Sequence, residues 1–277
     1  MGIIDFFFQN IHLIVFFLTA GTIAGITAGL FGIGGGVVIV PILYHFSEQL
    51  GIPTEHKVQI ITATSLFIIS VNSLISAYMR SKYQEVDTKI FLKWLPSLVI
   101  GSICGVFLNI FAKSDFVIIT FAAFCSFIAA KMFFNWRFPY LGKVIPKNRA
   151  SGSALGFLIA GFSSLIGIGG GTLSVPTLNF FGLPLKIATG TSTLFSAIIA
   201  CSAGTVYAVS GIIQNDNMPY SQIGYINWPA LIFIIPASMS GAIIGAKISK
   251  NIQTTLLRKL FAIVLFLSAV KMIYNVM

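Results

Sequence analysis

The chain has 277 residues, of which 56% are hydrophobic and 9% are charged, and it carries a formal net charge of +10. Apolar stretches of about 20 residues run through its whole length, which excludes a soluble globular domain and indicates a polytopic helical membrane protein. In a soluble domain the basic charge would suggest nucleic-acid binding, but here Lys and Arg lie between apolar segments, where they set membrane orientation. We therefore expect membrane lipid around the chain and no nucleic acid as a partner.

The hydropathy pattern predicts ten apolar segments. In chain order they are 11–33, 37–47, 58–79, 94–112, 116–135, 152–168, 172–181, 187–211, 228–248 and 256–275. The second and the seventh would be only about 15–17 Å long as helices, which is half the thickness of the hydrocarbon core. Neither can cross a bilayer alone. Each is expected to pair with the segment before it, so that the chain turns back inside the membrane.

A glycine-rich motif stands at each of these turns. GLFGIGGGVVIVPIL at 29–43 recurs as SLIGIGGGTLSVPTL at 164–178, with nine identities in the same register. The candidate substrate-binding glycines are Gly34, Gly35, Gly36, Gly169, Gly170 and Gly171, and the structural positions of the motif are Gly32, Pro41, Gly167 and Pro176.

Three consecutive glycines have physical properties that suit a binding site. Glycine adopts positive φ and leaves backbone N–H groups uncovered. Helices that begin just after the two motifs would direct their positive N-terminal ends to one place, where an anion is the natural ligand. The alternative is that the glycines only allow close helix packing, which needs one small residue per turn rather than three in a row.

The duplication extends over the whole chain. The Leu-Phe pair at 66–67 recurs at 194–195, and a Pro-x4-Gly-x3-Gly pattern that begins at Pro96 recurs from Pro236. The sequence therefore divides into a first repeat at 1–135, a basic linker at 136–151 and a second repeat at 152–277.

The basic residues indicate that the two repeats have opposite orientations. The loop at 80–93 contains four of them and its counterpart at 212–227 contains none, whereas the last turn of the first repeat has only Lys113 and its counterpart at 247–259 has four. Because basic residues concentrate in the cytoplasm, this predicts an all-α protein of two inverted repeats, with both termini outside and the linker cytoplasmic. Each repeat is a re-entrant, glycine-broken hairpin followed by three transmembrane helices. Eight straight crossings would put either the basic cluster at 247–259 or both basic loops of the first half on the wrong side. The basic residues left outside by the inverted arrangement are Lys57, Lys113 and Lys271.

Hydroxyl groups supply further candidates for binding an anion. They cluster in the first half of the long segment after each glycine motif, and one stands inside the second motif. The candidates are Thr64, Ser65, Thr172, Thr191, Ser192 and Thr193, with Asn72, Ser174 and Asn179 as weaker ones. Any of these hydroxyls could instead donate to a carbonyl of its own helix.

Charged side chains are expected to lie outside the segment centres. All seven acidic residues fall at segment ends or in loops, which leaves no carboxylate for a proton relay, and anion capture would use neutral donors. The chain contains no HExxH, no GxSxG and no pair of Asp residues within the apolar segments. We expect no enzyme activity, cofactor or metal. An intramembrane enzyme and a non-transporting membrane assembly protein are the alternative hypotheses, and the oligomeric state stays open.

The paired GIGGG…VP motifs, the Thr/Ser cluster after each and the late Pro-x4-Gly-x3-Gly helices make the chain resemble the sulfite exporter TauE/SafE (TSUP) family. The resemblance covers nearly the whole sequence. It implies a multi-pass permease of the bacterial inner membrane that passes small anions such as sulfite, sulfoacetate and thiosulfate, often outward. The two motifs would then form a midplane site used in alternating access.

Overall fold

A computed structural model describes residues 11–32, 34–134, 149–214, 219, 221–248 and 255–274. The helices of this part of the chain are α1 Ile11–Phe31, α2 Gly36–His45, α3 Lys57–Lys82, α4 Thr88–Phe111, α5 Ser114–Phe133, α6 Arg149–Ile166, α7 Gly171–Phe180, α8 Leu185–Gln214, α9 Trp228–Ile248 and α10 Thr255–Tyr274. Strands β1 Gln222–Ile223 and β2 Ile226–Asn227 pair antiparallel before α9. Positions 135–148, which hold most of the predicted linker, lie outside the described residues.

Each predicted segment corresponds to one helix, but the connection after α3 is shorter than expected. Helix α4 begins at Thr88 because Asp87 caps it: one carboxylate oxygen accepts from the backbone N–H groups of Lys89 and Ile90 at 3.0 and 3.1 Å. The prediction that 80–93 is one loop is therefore wrong at both ends. The hairpin of β1 and β2 was not predicted, since two-residue strands leave no periodic pattern in a sequence.

The distribution of apolar side chains is that of a membrane protein. Six helices of the described part, α1, α3, α4, α5, α8 and α9, are long and apolar enough to cross a bilayer. The outer surface carries large apolar side chains such as Phe111 and Ile213, whereas polar side chains such as Asn72 and Ser192 are fully buried. Apolar groups outside and polar groups inside are expected when lipid is the solvent. The chain is a multi-pass all-α membrane protein.

The first two helices form a hairpin that turns back at the glycine motif. Helix α2 has 10 residues, which makes it about 15 Å long. Its end lies beside the beginning of α1, because the ring of Phe46 contacts the rings of Phe16 and Phe17 at centroid distances of 4.3 and 5.8 Å. The chain therefore returns toward the side on which α1 begins.

In each half of the chain, the first helix packs against the fourth helix of the other half. Helix α1, the first of its half, packs most extensively on α9, the fourth of the other half, and α6 packs in the same way on α4. Both contacts use glycines: a Cβ built on Gly25 would overlap the backbone of Ser238, and a Cβ on Gly105 would overlap the backbone of Gly161. Small residues thus bring these helix backbones into direct contact, as is common inside membranes.

The third helices of the two halves, α3 and α8, pack against each other in opposite directions. Near the start of this contact Gly204 lies beside Phe67, and further along α3 a Cβ built on Gly34 would approach both Ser73 and Ser196. Residue numbers rise along α3 while they fall along α8. The fifth helices, α5 and α10, also pack together, so the contacts of one half have counterparts in the other.

Candidate functional site

Each glycine motif turns the chain through three glycines with positive φ. The angles are 67°, 75° and 83° at Gly32, Gly34 and Gly35, and 77°, 72° and 83° at Gly167, Gly169 and Gly170. Residues with a Cβ rarely adopt this conformation, so the turn depends on glycine. Gly35 and Gly170 are the N-cap residues of α2 and α7, which leaves the first backbone N–H groups of both short helices at the turn. We call each of these turns a glycine break.

The two glycine breaks contact each other. A Cβ built on Gly36 would lie 2.7 Å from the carbonyl oxygen of Gly167 and 2.8 Å from the Cα of Ile168. The side chain of Ile69 reaches both breaks, since Cβ atoms built on Gly34 and Gly36 would lie 2.8 and 2.5 Å from its methyl groups and one built on Gly169 would overlap it. In this conformation Ile69 fills the space where the breaks meet.

The breaks lie at the middle of the two longest helices. Ile69 is the thirteenth of the 26 residues of α3. Ile199, whose Cδ1 would lie 2.5 Å from a Cβ on Gly170, is the fifteenth of the 30 residues of α8. Both helices are long and apolar enough to span a bilayer, so each break lies beside the midpoint of a candidate spanning helix.

Two of the candidate serines hold each break to the opposite half. The Ser65 hydroxyl donates to the carbonyl of Gly167 at 2.9 Å. The Ser192 oxygen lies 3.2 Å from the carbonyl oxygen of Gly32 and 2.7 Å from that of Thr189, and its one hydrogen can serve only one of them. Ser65 therefore joins the two halves in this conformation, and Ser192 does so when its hydrogen points to Gly32 rather than to its own helix.

The neighbouring threonines make a second matched pair of contacts. Thr64 accepts a hydrogen bond from the backbone N–H of Asn227 at 2.9 Å, and Thr191 accepts one from the backbone N–H of Asp87 at 2.9 Å. Thr193 instead donates to the Gly190 carbonyl of its own helix at 2.6 Å. Thr64 and Thr191 therefore join their helices to the segments that precede α9 and α4.

The remaining candidate in the second motif, Thr172, has a different environment. Its hydroxyl is buried and has no hydrogen-bond partner within the described ranges. The weaker candidate Ser174 donates to the carbonyl of Gly170 at 2.5 Å, and Asn179, just beyond the motif, donates to the carbonyl of Leu183 at 3.0 Å. Of the two hydroxyl candidates, Thr172 is thus the one whose hydrogen is available to a ligand, since the one hydrogen of Ser174 is already donated.

These matched contacts correct the alignment of the two halves. They pair Thr64 with Thr191 and Ser65 with Ser192. The predicted pairing, which superimposes the Leu-Phe dipeptides, is therefore wrong by one position. The predicted alignment relied on the identity of two apolar residues, and a shift of one position still leaves many residue types matched. The same shift turns each side chain by about 100° around the helix, which changes its contacts.

Helix α3 carries a polar stripe that hydropathy alone does not reveal. Asn72, Ser73, Ser76 and Arg80 follow at spacings of one, three and four residues, which places them on one face of the helix. All four are buried. Of these residues, the predicted candidates included only Asn72; the signal that could have revealed the others is this helical spacing, continued as far as the arginine.

Arg80 belongs to the predicted loop at 80–93 but lies inside α3, with 3% of its surface exposed. It donates to the Glu85 carboxylate at 3.0 Å and to the carbonyls of Gly29 and Leu30 at 2.7 and 3.3 Å. The guanidinium therefore caps the C-terminal end of α1. In the second half the equivalent residue is Tyr207, whose hydroxyl lies 3.4 Å from the carbonyl oxygen of Ser164.

Comparison with known proteins agrees with this architecture. Residues 17–272 match the family model described as Sulfite exporter TauE/SafE. Relatives named probable membrane transporter proteins include one from Haemophilus influenzae at 31% identity, covering 92% of this chain and 96% of the relative. Others come from Bacillus subtilis, at 28% identity with 94% and 97% covered, and from Methanocaldococcus jannaschii, at 31% with 93% and 94% covered. No solved structure matches the chain. Because the family model spans nearly all of its length, the chain belongs to the sulfite exporter TauE/SafE family.

Proposed function

We propose that the chain exports small anions, with sulfite and organosulfonates as the expected cargo, across a bacterial inner membrane by alternating access around the two glycine breaks. The observation that carries this proposal is the contact between the breaks at the middle of α3 and α8. Irregular backbone at such a depth is stable only where it is enclosed by protein or lines a cavity. Broken helices that meet at the midplane are a recurrent design of transporters.

The chemistry of the breaks favours an anion. Helices α2 and α7 begin at Gly36 and Gly171, so both direct the positive end of a helix dipole toward the breaks. In each short helix a proline, Pro41 or Pro176, cannot donate to the carbonyl four residues earlier, which weakens the helix just beyond its start. We infer that this weakness lets the first turn of α2 and α7 adjust around a bound ion.

The contacts between the halves suit alternating access. Ser65, Ser192, Thr64 and Thr191 join the halves through single hydrogen bonds to backbone groups. Each such bond has a small net free energy, about 1 kcal/mol. These hydrogen bonds between the halves can therefore be replaced by hydrogen bonds to an anion as one half moves against the other. Nothing in this cycle requires a chemical change of the cargo, so we propose no enzymatic step.

Transport is tested with the purified chain in proteoliposomes loaded with sulfite or sulfoacetate. We expect efflux that saturates with anion concentration and is absent from protein-free vesicles, with glycerol as the neutral solute of similar size that should not be carried. A pH gradient imposed in parallel shows whether protons are coupled to the flux. If correctly folded protein carries no small anion at all, the proposed function is wrong.

The membrane orientation is proposed from charge placement, and two contacts support it. Lys57 lies 4.2 Å from the ring centre of Tyr44, and the Lys271 ammonium lies 3.3 Å from a ring nitrogen of His45, which gathers two of the lysines assigned to the outside at the end of α2. Arg80 contacts the opposite end of α1. Lys57 begins α3 and Arg80 lies near its end, with Ile69 and the glycine breaks between them. Lys57 and Arg80 are thus on opposite sides of the glycine breaks.

Reporter fusions check this orientation. A phosphatase fused at position 217 should be active, because that position is expected outside, and one fused at position 252 should be inactive. A fluorescent protein that matures only in the cytoplasm should give the complementary result at both positions. The opposite pattern would contradict the inverted arrangement of the two halves.

A further inference from the structure

The buried stripe on α3 contains polar groups that lack hydrogen-bond partners among the described residues. The side-chain amide of Asn72 and the hydroxyls of Ser73 and Ser76 have no hydrogen-bond partner in the part of the chain that the structure describes, and at most 1% of any of these residues is exposed. On α8, the hydroxyl of Ser196 is fully buried and equally without a partner there. Burying such groups unpaired is unfavourable, so a cluster of four points to a ligand that completes their hydrogen bonds.

These groups begin at the first glycine break. A Cβ built on Gly34 would lie 3.3 Å from the Ser73 hydroxyl and 3.8 Å from the Cβ of Ser196, so both serines border the break from different helices. Asn72 and Ser76 are on the same face of α3 as Ser73. The stripe then continues for two turns, about 10 Å, to Arg80.

Arg80 supplies the positive charge that the glycine breaks lack. Its Nη atoms are engaged by Glu85 and by the end of α1, but its Nε is buried and has no partner among the described residues. Glu85 lies in the connection between α3 and α4 and is only 13% exposed. A guanidinium that is held by one carboxylate can exchange that carboxylate for another oxyanion without being left unpaired.

The stripe belongs to one half only. In the corrected alignment, the positions in α8 that correspond to Asn72, Ser73, Ser76 and Arg80 are Ile199, Ala200, Ala203 and Tyr207. The stripe that ends in a positive charge therefore leads from the breaks toward one side of the membrane, and the corresponding face of α8 is apolar up to a tyrosine.

We propose that Asn72, Ser73, Ser76 and Ser196 bind the transported anion on the Arg80 side of the glycine breaks, and that the anion enters by displacing Glu85 from Arg80. This inference rests on the proposed anion transport and assigns its loading site. The ligand class is a small oxyanion such as sulfite or a sulfonate, whose three oxygens can accept several of these donors at once. Loading occurs from the side of Arg80, which is the cytoplasmic side in the proposed orientation, and release follows from the neutral half.

The first test uses the double variant Ser73→Ala/Ser196→Ala in proteoliposomes. We expect the KM for sulfite to rise about tenfold, while the melting temperature without ligand stays at or above that of the native chain, because neither hydroxyl has a protein partner to lose among the described residues. Sulfite should stabilise the native protein against heating but not the variant. Ser238→Ala is the matched control, since this buried serine donates to the Ile235 carbonyl of its own helix; its KM should be unchanged.

The second test addresses displacement of Glu85. Glu85→Gln keeps the size of the side chain but removes the competing charge, so we expect a KM for sulfite about threefold lower or better. Arg80→Gln should raise the KM at least tenfold, and Arg80→Lys should restore part of the affinity. If Arg80→Gln does not fold because α1 loses its cap, the KM of Glu85→Gln still tests whether the anion displaces Glu85.

An unchanged KM and unchanged stabilisation by sulfite in the double serine variant would overturn the inference, as would a lower melting temperature with normal KM, which would indicate a structural role. An unchanged KM in Glu85→Gln would overturn the displacement step. In either case flux through the native chain remains and the proposed function stands. If the native chain carried no small anion at all, both the proposed transport function and the proposed loading site would be wrong.

Discussion

Replacing Gly36 by leucine should abolish anion flux while the protein still inserts into the membrane. Gly36 is the first residue of α2 and has no positive φ, so a substitution there causes no backbone strain of its own. The Cβ, however, would lie 2.7 Å from the Gly167 oxygen and 2.8 Å from the Cα of Ile168, which are backbone atoms that cannot move cheaply. The leucine side chain must separate the two glycine breaks, and a displacement of about 1 Å at a site can reduce a rate about 100-fold.

Two further variants show that contact between the breaks is the cause. Gly36→Ala has only the Cβ and should retain a small part of the flux. Gly51→Ala is the control for glycine replacement as such. Gly51 has φ of 62°, but a Cβ there would lie 3.7 Å from the Ser221 hydroxyl, which is an ordinary van der Waals contact. It should cost about 1 kcal/mol of stability and leave flux close to normal. If Gly36→Leu has a normal melting temperature and a normal flux, the glycine breaks are not part of the transport site.

Replacing Gly105 by leucine should prevent the chain from folding. Gly105 on α4 faces Gly161 on α6, and a Cβ there would already overlap the Gly161 backbone. Extra methylenes in a packed core cost about 1–3 kcal/mol, and a whole side chain between two touching helix backbones costs more than this range because neither backbone can move aside without separating the helices. Against a total stability of about 5–15 kcal/mol this is a large loss. Most of the expressed protein should be aggregated or degraded.

The measurement is the yield of monodisperse protein after extraction from membranes, followed by size-exclusion chromatography, together with its melting temperature. Gly204→Ala is the matched control, because a Cβ at Gly204 would lie 3.4 Å from the Phe67 ring, at ordinary van der Waals distance. That variant should fold normally. A native-like yield and melting temperature for Gly105→Leu would show that α4 and α6 are not held by the contact of their backbones.

Local features of the sequence were enough to predict the helices and the two glycine turns. Hydropathy sets where a helix forms and how far it reaches. Three consecutive glycines allow the backbone to turn locally, without contacts to distant residues. This is why the ten segments and the positions of the glycine breaks agree with the structure to within a few residues, apart from the start of α4. It is also why the family could be recognised from the motifs.

The role of each polar side chain could not be determined in this way. Ser65 binds a carbonyl 102 residues away, and Thr64 binds a backbone N–H 163 residues away. Such partners depend on how α3 and α8 cross, and that crossing is decided by side-chain packing over the whole molecule rather than by any local pattern. For the same reason the alignment of the halves was wrong by one position, and Ile69 was not recognised as the residue between the breaks.

Hydropathy and backbone freedom are properties of short segments, so the amino-acid sequence was sufficient to predict a membrane protein with two glycine-broken half-helices. What surrounds those breaks depends on how the helices pack. This packing brings them into contact through Gly36 and Gly167, closes the space with Ile69 and buries Arg80 at the end of a polar stripe. Contact between segments that are distant in sequence is a property of the packed chain, and which polar groups border the breaks follows from that packing.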